Sequence, residues 1–568
     1  MRAFVKIVFV CLLSVLTIGP AFAQTAVPST VEPGRVLPDI EQQRLPSPAA
    51  PPVELVTTPE ATAPAGSEKI TFTLNKLNIV GNGRIAHADM EPYWQEYLGK
   101  QVSLAQIYDV ANKITRLYRD RGYMLSRAIV PEQEVKDGVV EIQILEGFVS
   151  NYVIRGDDVA AKEQLETYAK EITNSGPLKA GTLERYLLLM NDIPGTTVRA
   201  VLSPSVTVPG GADLTLIPTR REVAGYVSVD NYGNSYLGPA RLSGSVQYNN
   251  IFGLPNFANV TGLWAPQDNE LGYIGTSYRH VVGSEGTRLG FDASYTRTEP
   301  SLPEPLNLLE TEGDAYLLRA VGEHPFIRAR NKNLTGTASL EATRNRTLFA
   351  PGFEAIETQD DLRIMRLGAT SNYLDTIGGY NTMSLQGSKG FEILGSTERN
   401  DSQKSRVDGD PSFTKIGAEA TRQQRLYGPF TAFVAISGQY SFDPLLSSEE
   451  FALGGIDYGR GYDQSEITGD HGVAGKMELA YNGEGFEYVD GYQVYTFYDV
   501  GKIWRRSPGV GQDGQESLAS AGVGSRVTFT NATRGDVFVA KPLTAPVVSR
   551  GFSDENDLRI QASLTKNF

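Results

Sequence analysis

The chain has a single cysteine in 568 residues, only four histidines, and more acid than base. Each scarcity excludes something. Cys11 lies in a segment expected to be removed, so a disulfide, a thiolate metal site and a cysteine nucleophile are all excluded from the mature chain. His87, His280, His324 and His471 stand in separate segments without metal-ligand spacing. Neither a G-x-S-x-G elbow nor a G-x-x-x-x-G-K-[ST] phosphate loop occurs, and neither an enzyme reaction nor a cofactor or metal is expected. The formal charge of −14 argues against a nucleic-acid partner, which calls for a basic field. Beyond the N-terminus no run of 18 apolar residues exists, so no α-helical membrane span is expected.

What is present begins with an export signal. Arg2 and Lys6 precede an apolar run, and Pro20-Ala21-Phe22-Ala23 has the small residues of a cleavage site, so residues 1–23 read as a secretory signal peptide. A large envelope protein without cysteine must then be held by an extensive core or by sheet closure. Residues 24–67 hold nine prolines and read as a linker. Within it Val36, Leu37, Ile40 and Arg44 follow a short helical phase, with Pro38 tolerated in the first turn. A short helix carried on a long linker is expected to dock at a distance.

Two small α/β units follow, 68–148 and 149–220. In the first, Lys69–Val80 alternates as a strand with a phase slip, and 103–119 is a helix whose stripe is Leu104, Ile107, Tyr108, Ala111, Ile114, Leu117 and Tyr118. Gly122 stops that helix, and strands around 124–130 and 139–145 flank a polar turn at Asp137-Gly138. The second unit repeats the order, with a strand at 151–155, helices at 159–173 and 181–192, and a closing strand pair at 197–202 and 212–218.

From 221 to 568 the period changes to two. Arg241–Tyr248, Arg288–Thr296, Thr382–Gln386 and Leu558–Thr565 alternate apolar with polar residues, and the chain stops at Phe568. A soluble β-sandwich would alternate in the same way, but about 348 residues in one run is large for it. As a transmembrane barrel with about ten residues per strand plus turns, this length holds around 16 antiparallel strands. Such a barrel encloses a channel and so needs a plug or gate.

One glycine-rich stretch, Ser447 to Tyr462, places Arg460 between Gly459 and Gly461. If this hairpin enters the lumen, Arg460 needs a carboxylate partner there, since an unpaired buried charge is costly. Asp499, in an apolar and aromatic strand, is the first choice and Glu478 the second. Spacing alone equally allows a solvated loop arginine and an independent lumenal aspartate.

The chain resembles the outer-membrane transporters of two-partner secretion (TpsB), within the Omp85 superfamily. Pro33-Gly34 with Ile40–Arg44 resembles the plug-helix region. Gly122-Tyr123, Ser126-Arg127-Ala128, Val130–Gln133, Gly138 and Glu146-Gly147 resemble the first POTRA signature. Asp230–Gly233 resembles the first barrel strand, His324–Arg330 a mid-barrel stretch, and Ser447–Tyr462 the segment ending in V-R-G-Y/F, here with Gly459 in place of valine. That glycine is expected to loosen the local backbone.

The resemblance implies a plug helix (Ile40, Arg44) and linker, two POTRA domains in the periplasm and a 16-stranded barrel in the outer membrane. It also implies a loop whose motif residues are Arg460, Gly461 and Tyr462 and which Arg460 locks on Asp499. The implied function is export of a large, unfolded secreted partner (TpsA-like) without nucleotide hydrolysis, by a chain that contacts outer-membrane lipids and works as a monomer. For substrate recognition the residues singled out are Leu104, Ile107, Tyr108, Ala111 and Arg127. An Omp85-type insertase and a passive porin are the alternatives, and two periplasmic units favour secretion over both.

Overall fold

The computed structural model describes residues 31–35, 54–55, 62–156, 160–267, 270–302, 310–349, 356–508, 513–544 and 558–568. The expected signal peptide and the helix carrying Ile40 and Arg44 lie outside them.

The phase slip near Leu74 divides the first expected strand. After β1 (Glu54–Leu55), β2 (Thr71–Thr73) pairs antiparallel with β4 (Gln101–Ser103), while β3 (Lys76–Val80) pairs parallel with β6 (Val139–Leu145). A slip of one residue would turn half of a continuous strand to the wrong face, so the backbone breaks and each half finds its own partner. Between them stand α1 (His87–Met90) and α2 (Leu104–Asp120). Ser103 caps α2, accepting from Gln106 N at 3.3 Å while Gln106 Oε1 accepts from Ser103 N at 2.7 Å. Gly122, at φ +88°, ends it. Strand β5 (Arg127–Ile129) is shorter than the expected 124–130. Asp137 and Gly138 take φ of +52° and +67°, a two-residue hairpin turn between paired Lys136 and Val139.

The second unit comprises β7 (Phe148–Ile154), α3 (Lys162–Asn174), α4 (Ala180–Asn191), β8 (Thr196–Pro204) and β9 (Gly211–Arg220). Its core gathers Leu165, Tyr168, Leu178, Leu187 and Leu214. Its sheet runs β1-β8-β9-β7, and β1 lies parallel on the β8 edge with Glu54 opposite Val201 and Leu55 opposite Leu202. That fourth strand comes from the proline-rich linker, where no strand is expected.

The remaining strands are β10 (Val223–Asp230), β11 (Arg241–Asn249), β12 (Asn256–Ala265), β13 (Leu271–Val282), β14 (Thr287–Thr298) and β15 (Thr311–Arg328). They continue through β16 (Lys332–Phe349), β17 (Ile356–Leu374), β18 (Gly379–Gly390), β19 (Thr414–Arg425), β20 (Phe430–Ser441), β21 (Phe451–Leu453) and β22 (Ile467–Gly469). The chain finishes with β23 (His471–Phe486), β24 (Val489–Trp504), β25 (Gln515–Phe529), β26 (Thr533–Pro542) and β27 (Arg559–Asn567). All but β21 and β22 form one closed antiparallel barrel of 16 strands, β10 pairing with both β11 and β27. Connections at the end bearing the α/β units are all short, while the longest ones, 391–413 and 442–470, lie at the far end.

The alternation has its expected meaning. Val227, Leu242, Leu289, Phe291, Leu318, Leu340, Leu367 and Leu385 point outward and stay exposed, while Arg241, Arg279, Asp292 and Glu341 are buried within. On β15 the outward aromatics Tyr316 and Phe326 are ten residues apart. At ~3.3 Å per residue and a strand tilt of about 40°, that spans about 25 Å, the height of the apolar band of such barrels. Above Tyr316 the outward face turns charged, with Asp314 and Glu312 beside Arg297. No described helix is long and apolar enough to cross a membrane, so the crossing is made by strands.

Candidate functional site

The long connection 442–470 folds back into the lumen. Its β21–β22 hairpin lies flat on the inner wall because the wall beneath it is glycine: a Cβ on Gly472 would meet the Phe451 ring at 1.9 Å, and one on Gly501 would meet Leu453 Cδ1 at 2.5 Å. Leu453, Tyr462 and Ile467 pack with Ala474, Ile503 and Leu518 of β23–β25.

At the hairpin tip Arg460 is 3% exposed and Asp499 is 0% exposed. Arg460 Nε donates to Asp499 Oδ2 at 2.9 Å, Nη2 to Oδ1 at 2.7 Å, and its backbone N–H to Oδ2 at 3.0 Å. Nη1 donates to Glu478 Oε1 at 2.5 Å, and the guanidinium carbon lies 3.5 Å from the centre of the Phe497 ring. The structure therefore brings Arg460 together with both expected carboxylates rather than with one. A bidentate, desolvated pair of this kind is strong where every donor is matched.

Gly461 permits the close approach, since a Cβ there would lie 2.8 Å from Ser520 Cβ and 2.9 Å from Pro542 N. The buried Tyr462 hydroxyl donates to Ala519 O at 3.0 Å. Gly459 does not loosen the tip as expected. It sits at φ +126°, where a Cβ would meet Leu518 Cδ1 at 2.9 Å, so glycine is what this packed conformation requires.

Several partners were not visible in the sequence. Glu478 also accepts from Arg526 at 2.9 and 3.2 Å, so it bridges two arginines. At the hairpin's base Glu449 pairs with Arg366 at 2.8 Å and Lys415 at 2.9 Å. Its neighbour Glu450 pairs with Arg406 at 2.8 Å and with Arg35 at 3.0 Å. Val31 packs among Leu237, Leu263, Ala265 and Leu271, so Val31–Arg35 is seated inside the far mouth of the barrel. Lumenal arginines on strands give no local signal, because any one of them alternates like any other polar residue.

The other singled-out residues divide. Ile107 and Ala111 are 0% exposed in the first unit's core, so they hold that unit together and are unavailable for substrate recognition. They are buried because α2 turns the Ile107, Val110, Ala111, Ile114, Thr115 and Tyr118 face onto the sheet. Leu104, Tyr108 and Arg127 remain part-exposed, Arg127 on the terminal strand of the order β3-β6-β5. Glu146 is structural, accepting from Gly83 N at 2.8 Å, Arg84 N at 2.7 Å and the Tyr118 hydroxyl at 3.0 Å. The His324–Arg330 stretch ends β15 beneath the wall, where Arg328 grips Asp192 of the second unit with two bonds of 2.7 Å.

The family described as haemolysin secretion/activation protein ShlB/FhaC/HecB matches residues 213–527, more than half of the chain. The chain belongs to that family. It is a two-partner-secretion-type transporter of the outer membrane, and a POTRA domain of the ShlB type matches residues 72–147. The heme/hemopexin transporter protein HuxB of Haemophilus influenzae (strain 86-028NP) is 26% identical over 516 residues, covering 89% of this chain and 90% of that one. The outer membrane transporter CdiB of Dickeya dadantii (strain 3937) is 23% identical, covering 84% and 83%. In fold the transporter is similar to CdiB from Escherichia coli, with a TM-score of 0.71, 21% identity and coverage of 90% and 93%. It is also similar to BamA from Haemophilus ducreyi lacking POTRA domains 1–3, with a TM-score of 0.52, 14% identity and coverage of 88% and 100%. POTRA units of this transporter family are periplasmic, so the α/β end of the barrel faces the periplasm and the far mouth faces outward.

Proposed function

We propose that this transporter is the export pore for a large secreted partner, taken up unfolded from the periplasm and passed through the barrel by a single chain without nucleotide hydrolysis. The observation that carries this reading is the hairpin folded into a closed 16-stranded lumen and held by Arg460 on Asp499 and Glu478, directly above two α/β units. A held hairpin closes the passage, and its release opens it.

The N-terminal segment acts as the second closure. Its described parts are anchored at opposite ends of the barrel, Val31–Arg35 in the outer mouth and β1 on β8 below. Residues 36–53 lie between these two anchors in the sequence. In this proposal Ile40 and Arg44 belong to a plug that must leave before cargo passes.

An extended cargo chain has sheet edges to join, since backbone pairing confers affinity with little demand on sequence. Arg127 lies on the terminal strand β5 of the first unit's sheet, and Leu104 and Tyr108 are part-exposed on α2 of the same unit. Folding of the emerging chain outside supplies the direction, because a folded product cannot re-enter. Deleting the gene and measuring each large neighbouring exoprotein in the medium tests this. Loss of one of them from the medium, with periplasmic retention or degradation, is expected. Unchanged surface and medium levels of all of them would overturn the reading.

A further inference from the structure

A cavity of about 260 Å³ opens in the lumen on the periplasmic side of the Arg460 tip, lined by Thr431, Phe433, Lys476, Glu478, Gln493 and Arg526 among others. Its cations outnumber its acids. Lys476 has no carboxylate partner among the described residues. Its ammonium rests 5.9 Å from the Phe433 ring centre and 5.3 Å from that of Tyr458, contacts that leave its hydrogen-bond donors uncommitted. Asp499, opposite Lys476 on β24, is taken up by Arg460, and Glu419 is engaged by the Tyr458 hydroxyl at 2.8 Å; neither makes an ion pair with Lys476. Arg526, whose side chain is 39% exposed, lies 3.8 Å over the Tyr495 ring and shares Glu478 with Arg460. Asp536 also pairs with Arg526, at 3.1 Å. The only acid lining the cavity is thus already divided between two arginines, in a chain whose net charge is −14.

We propose that this cavity is a binding subsite for a carboxylate side chain of an extended polypeptide in the lumen, held by Lys476 and Arg526 against Phe433. This inference rests on the pore reading above. It also gives the cavity a consequence: a carboxylate that draws Arg526 away from Glu478 changes the acid that half-holds Arg460, so an arriving chain is sensed at the loop anchor. The carboxylate has two sources of the same chemistry. One is the transporter's own segment 36–53, which carries Asp39 and Glu41, and the other is the exported chain.

The test uses the full-length protein and a form lacking residues 31–53, each in planar bilayers. A Gly/Ser peptide carrying glutamates, or its glutamine counterpart, is added on the periplasmic side. The acidic peptide is expected to block the open pore about fivefold more strongly than the neutral one, the scale of a partly exposed ion pair. Lys476→Gln should abolish this preference and Lys476→Arg should keep it. A preference seen only in the shortened form assigns the site at rest to the protein's own segment. A preference in both forms assigns it to incoming chain. Equal block by the two peptides in both forms, through a pore that conducts, overturns the inference and leaves the pore reading standing. An inserted protein with no conductance in either form overturns the pore reading and the subsite with it.

Discussion

At the level of single residues, the anchor of the lumenal loop rests on charge geometry. Arg460 makes three bonds to Asp499 and one to Glu478 out of bulk water. Deleting one partner of such a pair strands the other, at a cost of about 3–5 kcal/mol. Arg460→Ala is therefore expected to free the hairpin tip and reduce exoprotein in the medium, with the barrel still inserted and still shifting in heated gels. Arg460→Lys keeps the charge and loses the fork, so its secretion should fall between wild type and alanine. Wild-type export by a well-inserted Arg460→Ala protein would show that the anchor is dispensable. Arg460, Asp499 and Glu478 were readable in the sequence because a charged residue in a glycine hairpin and an acid in an apolar strand are both out of place. Arg526 was not, since nothing in its strand is unusual.

At the level of elements, the hairpin stays where it is because glycine leaves room for it. Gly472 and Gly501 let Phe451 and Leu453 lie directly on the wall. Gly501→Leu fills that room and is expected to lift β21–β22 at a cost of about 1–3 kcal/mol. The measurable outcome is a larger or noisier conductance from a barrel with unchanged strand content by circular dichroism. An unaltered conductance would mean that the hairpin is not what narrows the pore. The N-terminal segment is tied to the same loop through Arg35 and Glu450 at 3.0 Å, beside Arg406. Arg35→Ala is expected to loosen that segment, read as faster protease cleavage between residues 35 and 54 in intact outer membranes opened from the periplasmic side. Equal cleavage rates in wild type and variant would remove Arg35 from this role.

At the level of the whole molecule, the second α/β unit is clasped to the periplasmic rim by two ion pairs, with hydrogen bonds such as Gln164 to Gly283 O and Arg330 N to Glu184 beside them. Arg328, at the end of β15, holds Asp192, and Arg185 of α4 holds Glu285 in the β13–β14 turn at 2.7 Å. Tyr186 donates to the same Glu285 at 3.1 Å. Burial first, and then that carboxylate, push its hydroxyl up to about 12, so it remains a donor at any physiological pH. Replacing Arg185 and Arg328 together by alanine is expected to broaden the distance distribution between spin labels on α3 and the barrel rim, while the barrel's thermal mobility shift is unchanged. Each partly exposed pair contributes on the order of 1 kcal/mol, so both are replaced together to loosen the unit measurably. A distribution as narrow as wild type would place the clasp in apolar packing instead, where Val281 of the barrel joins the second unit's core.

The order strand, helix, helix, strand, strand and the switch to alternation after 221 were set locally. Periodicity decides which face of a helix or strand is apolar before any partner is chosen. What only the folded molecule decided lies between segments far apart in the chain: Arg328 against Asp192, Glu450 between Arg35 and Arg406, the linker strand on β8, and the burial of Ile107 and Ala111. A charge or a strand edge shows that it needs a partner, but the identity of that partner is set by which surfaces closure of the barrel brings within a few ångströms of each other.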